Sequence, residues 1–373
     1  MQFSSTLPFP DTTITTMSST DPKRKVPEGF APTTQLVKRV KTPSEQVTLR
    51  PDGIKGGALT QAVPRTSALQ APIMELTGHS GGVFAVRFDP TGQNIASGSF
   101  DRTVLLWRTY GDCENYASLS GHKGAILDLN WSRDSRAVFT ASADSLLASW
   151  DVETASRIRR YVGHEDIVNT MDITRRGPEM LASGSDDRSI GIWDPRQKLS
   201  VDYLETNFPV TAVAVSEAGN ELFTGGIDND IKVWDLRKRA VMYLLRGHQD
   251  TMTSLAVSPD GQCLLSNSMD NTVRIWDIRP FAPTNRLLHT FAEGVNVGIE
   301  KNLIRASWSP QGDKVAAGSG DRTVAVWDVD SKKMLYKLPG HRGTVNDVRF
   351  SPAEPIIVSG STDRTIILGE IAK

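Results

Sequence analysis

The sequence is poor in the features that hold small secreted, metal-bound or membrane proteins together. Among its 373 residues are only two cysteines, Cys113 and Cys263, too few for a disulfide framework or a cysteine metal site. No run of 18 apolar residues occurs, which excludes a spanning helix. The N-terminal MQFSSTLPFP lacks a basic start followed by an apolar core, so it does not read as a secretory signal. A Walker loop, a Rossmann fingerprint and a zinc-ligand spacing are all missing. These absences point to a soluble, intracellular chain with no cofactor, metal, membrane or small-molecule substrate. Tryptophan and tyrosine are absent from the first 72 residues, which hold nine of the 20 prolines and eighteen Ser/Thr. Such a segment buries too little apolar surface to offset its ordering entropy. We expect residues 1–71 to be a disordered basic tail, nine Lys/Arg facing five acids over the first 72 positions, and residues 73–373 to carry 33 basic and 38 acidic groups.

What is present is a period. Trp-Asp or a near match stands at Trp107, Trp150, Trp193, Trp234, Trp276 and Trp327, at intervals of 43, 43, 41, 42 and 51. A seventh copy follows 42 residues later, with Gly369-Glu370 in its place. Six residues before each of the seven lies an aspartate: Asp101, Asp144, Asp187, Asp228, Asp270, Asp321 and Asp363. Five of the six histidines follow a glycine at the start of a repeat: His79, His122, His164, His248 and His341. Within one unit, VFAVRF (83–88), NIASGS (94–99), TVLLW (103–107) and NYASL (115–119) are strand-sized and separated by turn residues, which reads as a four-stranded meander. A period of about 42 with Gly-His and Trp-Asp resembles the WD40 β-propeller. We therefore expect an all-β, seven-bladed WD40 propeller over 72–373. Because the chain ends just after the third strand of the last repeat, Ile73–Leu76 should supply its fourth strand and close the ring.

His, Ser/Thr and Asp recurring together invite comparison with a hydrolase, but a catalytic triad occurs once. Here the sets are His79, Ser97, Asp101 and Trp107; His122, Thr140, Asp144 and Trp150; His164, Ser183, Asp187 and Trp193; and His248, Ser266, Asp270 and Trp276. Their repetition reads as structural tetrads, in keeping with the WD40 resemblance. Two blades depart: the alignment places Thr206 and Ile299 where the histidine should be, and Ala317 replaces the hydroxyl in blade six. Those blades should be held mainly by apolar packing. The connection 279–302 is about nine residues longer than its neighbours and reads as a surface insertion or a partner-contacting loop. His289 stands alone as an exposed or packing residue, and Trp131 and Trp308 read as core or channel-wall residues.

Partner binding is expected on one rim, where the openings of the inner strands meet the residues before the turn aspartates. Phe84, Phe100, Leu127, Asp186, Ile227, Met269 and Ile304 are the candidates, mostly apolar and suited to anchoring a peptide or protein. The acidic balance of 73–373 argues against a broad phosphate-binding surface, so RNA contact is expected to be indirect. In the tail, Lys23-Arg24-Lys25 and Lys38-Arg39-Val40-Lys41 fit a bipartite nuclear import signal.

The words between the repeats are more specific. TYGDCENYASLSGH (109–122), MDNTVRIWDIRPFAP (269–283), EKNLIRASWSP (300–310), LYKLPGH (335–341) and the terminal GEI closely resemble the family of WD-repeat proteins of the U5 small nuclear ribonucleoprotein. That family is nuclear, lacks enzymatic activity and binds pre-mRNA-processing factor eight, the large central U5 subunit. The resemblance implies a spliceosomal scaffold with that partner and other spliceosomal proteins. A competing function comes from Trp193-Asp194-Pro195-Arg196, Trp234-Asp235-Leu236-Arg237 and Trp276-Asp277-Ile278-Arg279. Each fits the WDxR box by which some propellers serve as substrate receptors of cullin-type ubiquitin ligases.

Overall fold

In each repeat the three inner strands are largely buried on both faces, because each sheet is sandwiched between two neighbours, while the outermost strand, such as Arg157–Tyr161, is largely exposed. In Asn94–Ser99 all residues after the first are buried, a pattern for a strand covered on both sides rather than half-solvated. The computed structural model describes residues 65–371. The import clusters, Lys23, Arg24, Lys25, Lys38, Arg39 and Lys41, and most of the expected tail lie outside the described residues. Every regular element described is a β-strand, and the strands form seven four-stranded antiparallel sheets.

The sheets follow the repeats. Blades one to six occupy 83–120, 126–161, 168–205, 210–245, 252–291 and 306–339, and blade seven combines 345–370 with 73–77. The four strands read from sequence in blade one are found at Val83–Phe88, Asn94–Ser99, Thr103–Arg108 and Asn115–Ser120. Apolar clusters form between blades rather than within them. Leu106 and Val104 of blade one pack with Leu129, Trp131 and Val138 of blade two, and Phe223 and Val233 of blade four pack with Leu255, Leu264 and Trp276 of blade five. No blade buries its own faces, so the sheets are stable only as a ring.

The ring closes as expected. Ile73–Thr77 pairs antiparallel with Thr365–Glu370, Ile73 opposite Gly369 and Thr77 opposite Thr365. This covers the edge that the last repeat would otherwise expose. The packed region begins earlier than the boundary expected between residues 71 and 72. Leu69 and Ala71 are buried, and the Glu370 carboxylate accepts the backbone amides of Thr66 and Ser67 (2.5 and 2.6 Å), with the Arg65 guanidinium at 2.9 Å. An acid in the place of the usual Trp-Asp aspartate thus gathers the entering chain. Position 369 is open, since a Cβ there would meet nothing within 4 Å.

Candidate functional site

Two sets of residues converge at one end of the ring, the tetrads that shape the loops and the side chains those loops present. In blade one, His79 Nδ1 lies 2.9 Å from Asp101 Oδ2 and His79 Nε2 lies 2.8 Å from Ser97 Oγ, which in turn accepts the Trp107 indole N–H at 2.9 Å. The same chain runs through His122, Asp144, Thr140 and Trp150. It recurs through His164, Asp187, Ser183 and Trp193, and through His248, Asp270, Ser266 and Trp276. A neutral imidazole satisfies every bond, with Nδ1–H donated to the carboxylate and Nε2 accepting the hydroxyl proton. Ser97, Thr140, Ser183 and Ser266 are all fully buried. A hydroxyl sealed this way and already bonded on both sides is placed to fasten loop, turn and strand, not to reach a substrate.

The electrostatics follow from burial. Burial alone raises the Asp101 carboxyl, but hydrogen bonds from His79, Thr103 and the Ser80 amide outweigh it and hold the group far below the usual carboxylate range. Asp144, Asp270 and Asp363 are depressed in the same way. Burial lowers His164 and His248 despite their aspartate partners. A histidine depressed in the folded state binds fewer protons than its unfolded counterpart, whose pKa is about 6.5. Stability is therefore expected to fall as pH drops below about 6.5, with a further loss below about pH 4 as the aspartates protonate in the unfolded chain. Melting temperatures recorded from neutral pH down to about pH 5 check this; a temperature that holds or rises over that range contradicts it.

The incomplete blades are held differently: blade four keeps hydrogen bonds where apolar packing was expected to dominate, and in blade six the residue in place of the histidine is not the expected one. In blade four, Thr206 hydrogen-bonds the carbonyls of Arg188 and Phe208 instead of a tetrad partner, while Trp234 still donates to Thr224 Oγ1 at 2.8 Å. In blade six, Ile299 is fully exposed and touches no tetrad position. Gly294, at φ +90°, sits over the Trp327 ring as Gly121 sits over Trp150, and Val295 follows it into the cluster around Trp327. The histidine is thus replaced by Val295, and residues 298–303 form an excursion between loop and inner strand. An insertion at that point shifts any alignment counted back from the strand. In blade seven His341, Asp363 and Ser359 keep their bonds without a tryptophan. His289 packs edge-on against Phe291 at 4.4 Å. The Trp131 and Trp308 indoles donate to carbonyls of Arg87 and Ala256 in the preceding blades, at 3.1 and 3.0 Å.

The loops entering the inner strands and the turns bearing the tetrad aspartates form one rim. Backbone bonds tie them together: Phe100 N to Gly82 O at 2.8 Å, Asp186 N to Ile167 O at 3.0 Å and Met269 N to Thr251 O at 2.9 Å. On this rim Phe100 is 64% exposed and Ile227 51%. Phe84, Leu127, Asp186 and Met269 are half-buried, and Phe84 meets Phe100 edge-to-face at 6.4 Å. Asp186 is raised by burial and by Asp166 and Asp187, with the Asn169 amide opposing. Ile304 does not belong to the rim: it is completely buried, against the backbone of Gly318, so no partner can reach it. Sequence reasoning missed Phe208 and Ile299, both exposed apolar residues on the same loops. Their signal was present as single apolar residues inside polar loops.

Sequence reasoning also missed what fills the channel. Arg305 of blade six crosses it to Asp128 of blade two, with Nη1 to Oδ2 at 2.5 Å, and donates to the carbonyls of Leu127 and Asn169 at 3.0 and 3.2 Å. Arg87 approaches Asp128 at 3.5 Å, and Arg349 lies 3.0 Å from Asp347. Burial, together with repulsion from Arg87, lowers Arg349 to about 10. At the opposite rim, Arg279 is forked onto its own Asp277, while Arg196 and Arg237 of the WDxR boxes are exposed.

Comparison with known proteins agrees with this geometry. The WD domain, G-beta repeat profile matches seven times, over 70–108, 113–151, 155–194, 199–235, 239–277, 299–328 and 332–368. The chain is 51% identical to the U5 small nuclear ribonucleoprotein 40 kDa protein of Dictyostelium discoideum, over 85% of this chain and 89% of the relative. It is 51% identical to the human protein of the same name, over 84% and 88%. It is 47% identical to pre-mRNA-splicing factor cwf17 of Schizosaccharomyces pombe, over 94% and 99%.

Proposed function

The chain belongs to the WD40-repeat family, alongside the U5 40 kDa proteins and splicing factor cwf17, and on that premise we propose that it is a non-enzymatic scaffold of the nuclear splicing machinery that binds the large central U5 subunit, pre-mRNA-processing factor eight. The observation that carries this reading is the 47–51% identity to named splicing proteins over most of both chains. Buried tetrad hydroxyls and a plugged channel favour a rigid interaction platform over a catalyst. The basic clusters at Lys23–Lys25 and Lys38–Lys41 would supply nuclear import.

For the protein partner, the rim sector of blades four and five is the proposed docking face. Phe208 and Ile227 are exposed there, Met269 is half-buried at the equivalent turn position of the next blade, and a flexible methionine next to apolar anchors adapts to a partner's side chains. Ile227→Asp combined with Met269→Ala alters solvent-facing positions and leaves the tetrads intact. Affinity purification of the wild-type chain from nuclear extract is expected to recover U5 RNA and pre-mRNA-processing factor eight. The double variant is expected to lose at least tenfold of that recovery, about the effect of removing one hot-spot residue. Undiminished recovery by the double variant overturns the docking face. Recovery of a cullin and its adaptor without U5 RNA overturns the scaffold reading in favour of a ligase receptor.

A further inference from the structure

We propose that the rim sector running from blade six through blades seven and one to blade two binds single-stranded RNA by its phosphodiester backbone. This extends the protein-docking reading to a different sector and a different partner; only the choice of RNA over DNA rests on the splicing role proposed above.

The rim is sorted by charge. Arg322, Arg342, Arg364, Arg102 and Lys123 stand in that order on four consecutive blades, and all five are exposed. Among the described residues, none of the five side chains has a hydrogen-bonding or ion-pair partner. The carboxylates on the same turns are already engaged within the chain. Asp101, Asp144 and Asp363, with side chains only 8–11% exposed, are held on His79, His122 and His341, and Asp321 is paired with Lys337. Glu293 and Glu300 are exposed at the blade-six end and bound the sector. Across the ring acids outnumber bases on the rim: Glu165, Asp166, Glu205 and Asp250 are exposed on blades three to five, against the single exposed turn arginine Arg188 of blade three. A polyanion is therefore drawn to one side and repelled from the other.

Nothing in the backbone calls for arginine at these tips. Arg102, Arg322 and Arg364 adopt φ of +69°, +72° and +72°, a left-handed conformation that disfavours long side chains and suits glycine or asparagine. At the same turn position blade two has Ser145, blade three Arg188, and blades four and five Asn229 and Asn271. The guanidiniums are carried into solvent at some conformational cost, with no intramolecular partner to account for them.

An exposed aromatic lies among the cations. Phe100 precedes Arg102 by two residues, is 64% exposed and is braced edge-on by Phe84. A braced ring between cations offers a base a stacking face while the arginines hold phosphates. An acidic peptide would use the charges but leave the ring without a counterpart.

The test uses the full chain and a labelled oligouridylate of about 12 nucleotides, followed by fluorescence anisotropy over a salt series starting near 50 mM. The variant Arg102→Asn, Arg342→Ala, Arg364→Asn places at the two turns the asparagine that blades four and five carry there and truncates one exposed loop side chain, and it retains the N-terminal basic clusters common to every protein compared. It is expected to bind at least tenfold more weakly and to lower the slope of log affinity against log salt by about 2, at roughly 0.7 per lost phosphate contact. Phe100→Ala is expected to weaken binding about tenfold with little change in slope. No binding by the wild type at the lowest salt, or unchanged binding by the triple variant, overturns the proposal. A polyglutamate peptide that binds as tightly as the RNA overturns it in favour of an acidic protein, and equal affinity for oligothymidylate overturns the RNA assignment. Recovery of pre-mRNA-processing factor eight by the triple variant stays at the wild-type level, which separates failure here from failure of the docking reading.

Discussion

Asp128→Ala is expected to destabilise the propeller by about 3–5 kcal/mol, the typical effect of leaving one member of a buried ion pair without its partner. Asp128 is fully buried and Arg305 is 6% exposed. Burial by itself disfavours the Asp128 charge, and Arg305 and Arg87 reverse that and lower its pKa. Its second role is backbone capture, since its carboxylate also accepts the Met171 amide at 2.9 Å. Removing it therefore leaves a guanidinium in the channel and frees an amide between blades two and three. In a ring of this size the loss should appear as a fall in melting temperature on the order of 10 °C. Removing both charges, with Asp128→Leu and Arg305→Met together, should recover part of the loss, because the buried guanidinium leaves with its carboxylate and only the partly exposed Arg87 loses a partner. A single variant melting within a degree or two of wild type would show that water screens the pair and that the channel is not sealed by it.

Trp193→Ala is expected to cost about 3–5 kcal/mol, the range for emptying a large aromatic site in a core. Trp193 is completely buried, with Tyr161, His164 and Tyr203 edge-on or tilted against it at 5.7–6.0 Å. Alanine would leave a void between blades that their strands cannot close without shifting register, and Ser183 would lose its indole donor. Trp193→Phe separates the two contributions. It keeps most of the packing but loses the hydrogen bond, which is worth about 1 kcal/mol with more for the buried group left unmade. Blade six supplies the control, because Ala317 holds the register position that Ser183 holds in blade three, which leaves Trp327 no hydroxyl to meet. Trp327→Phe should be the milder change. Equal costs for the two phenylalanine variants would mean that the tetrad bond adds nothing beyond packing.

Both residues bear on how much of the molecule is legible in its sequence. Trp193 and its partners lie within one repeat, His164 and Ser183 less than thirty residues upstream, so spacing alone identified the set. The same holds for the strand bounds in blade one and for the closing strand, which the missing fourth strand of the last repeat required. Legibility failed where the repeat itself was interrupted. In blade six the 298–303 excursion displaced the alignment, so Val295 was overlooked as the histidine's replacement and Ile304 was placed on a surface it does not reach. The packed segment 65–71 escaped notice because its composition resembles the tail before it; only the Glu370 carboxylate at the far end of the chain distinguishes it.

The sequence by itself determined the seven-bladed fold, its direction of closure and the tetrads, because these arise from local pairings repeated at one period, and repetition separates signal from chance. The tertiary structure alone decided the Arg305–Asp128 bridge, whose partners come from blades two and six, and the division of the rim into a cationic and an acidic sector. Those features depend on which residues a closed ring brings across a channel or around a rim. Charge totals average over the whole surface, so an overall acidic balance hid a basic sector that becomes visible only when the turns are set in order around the ring.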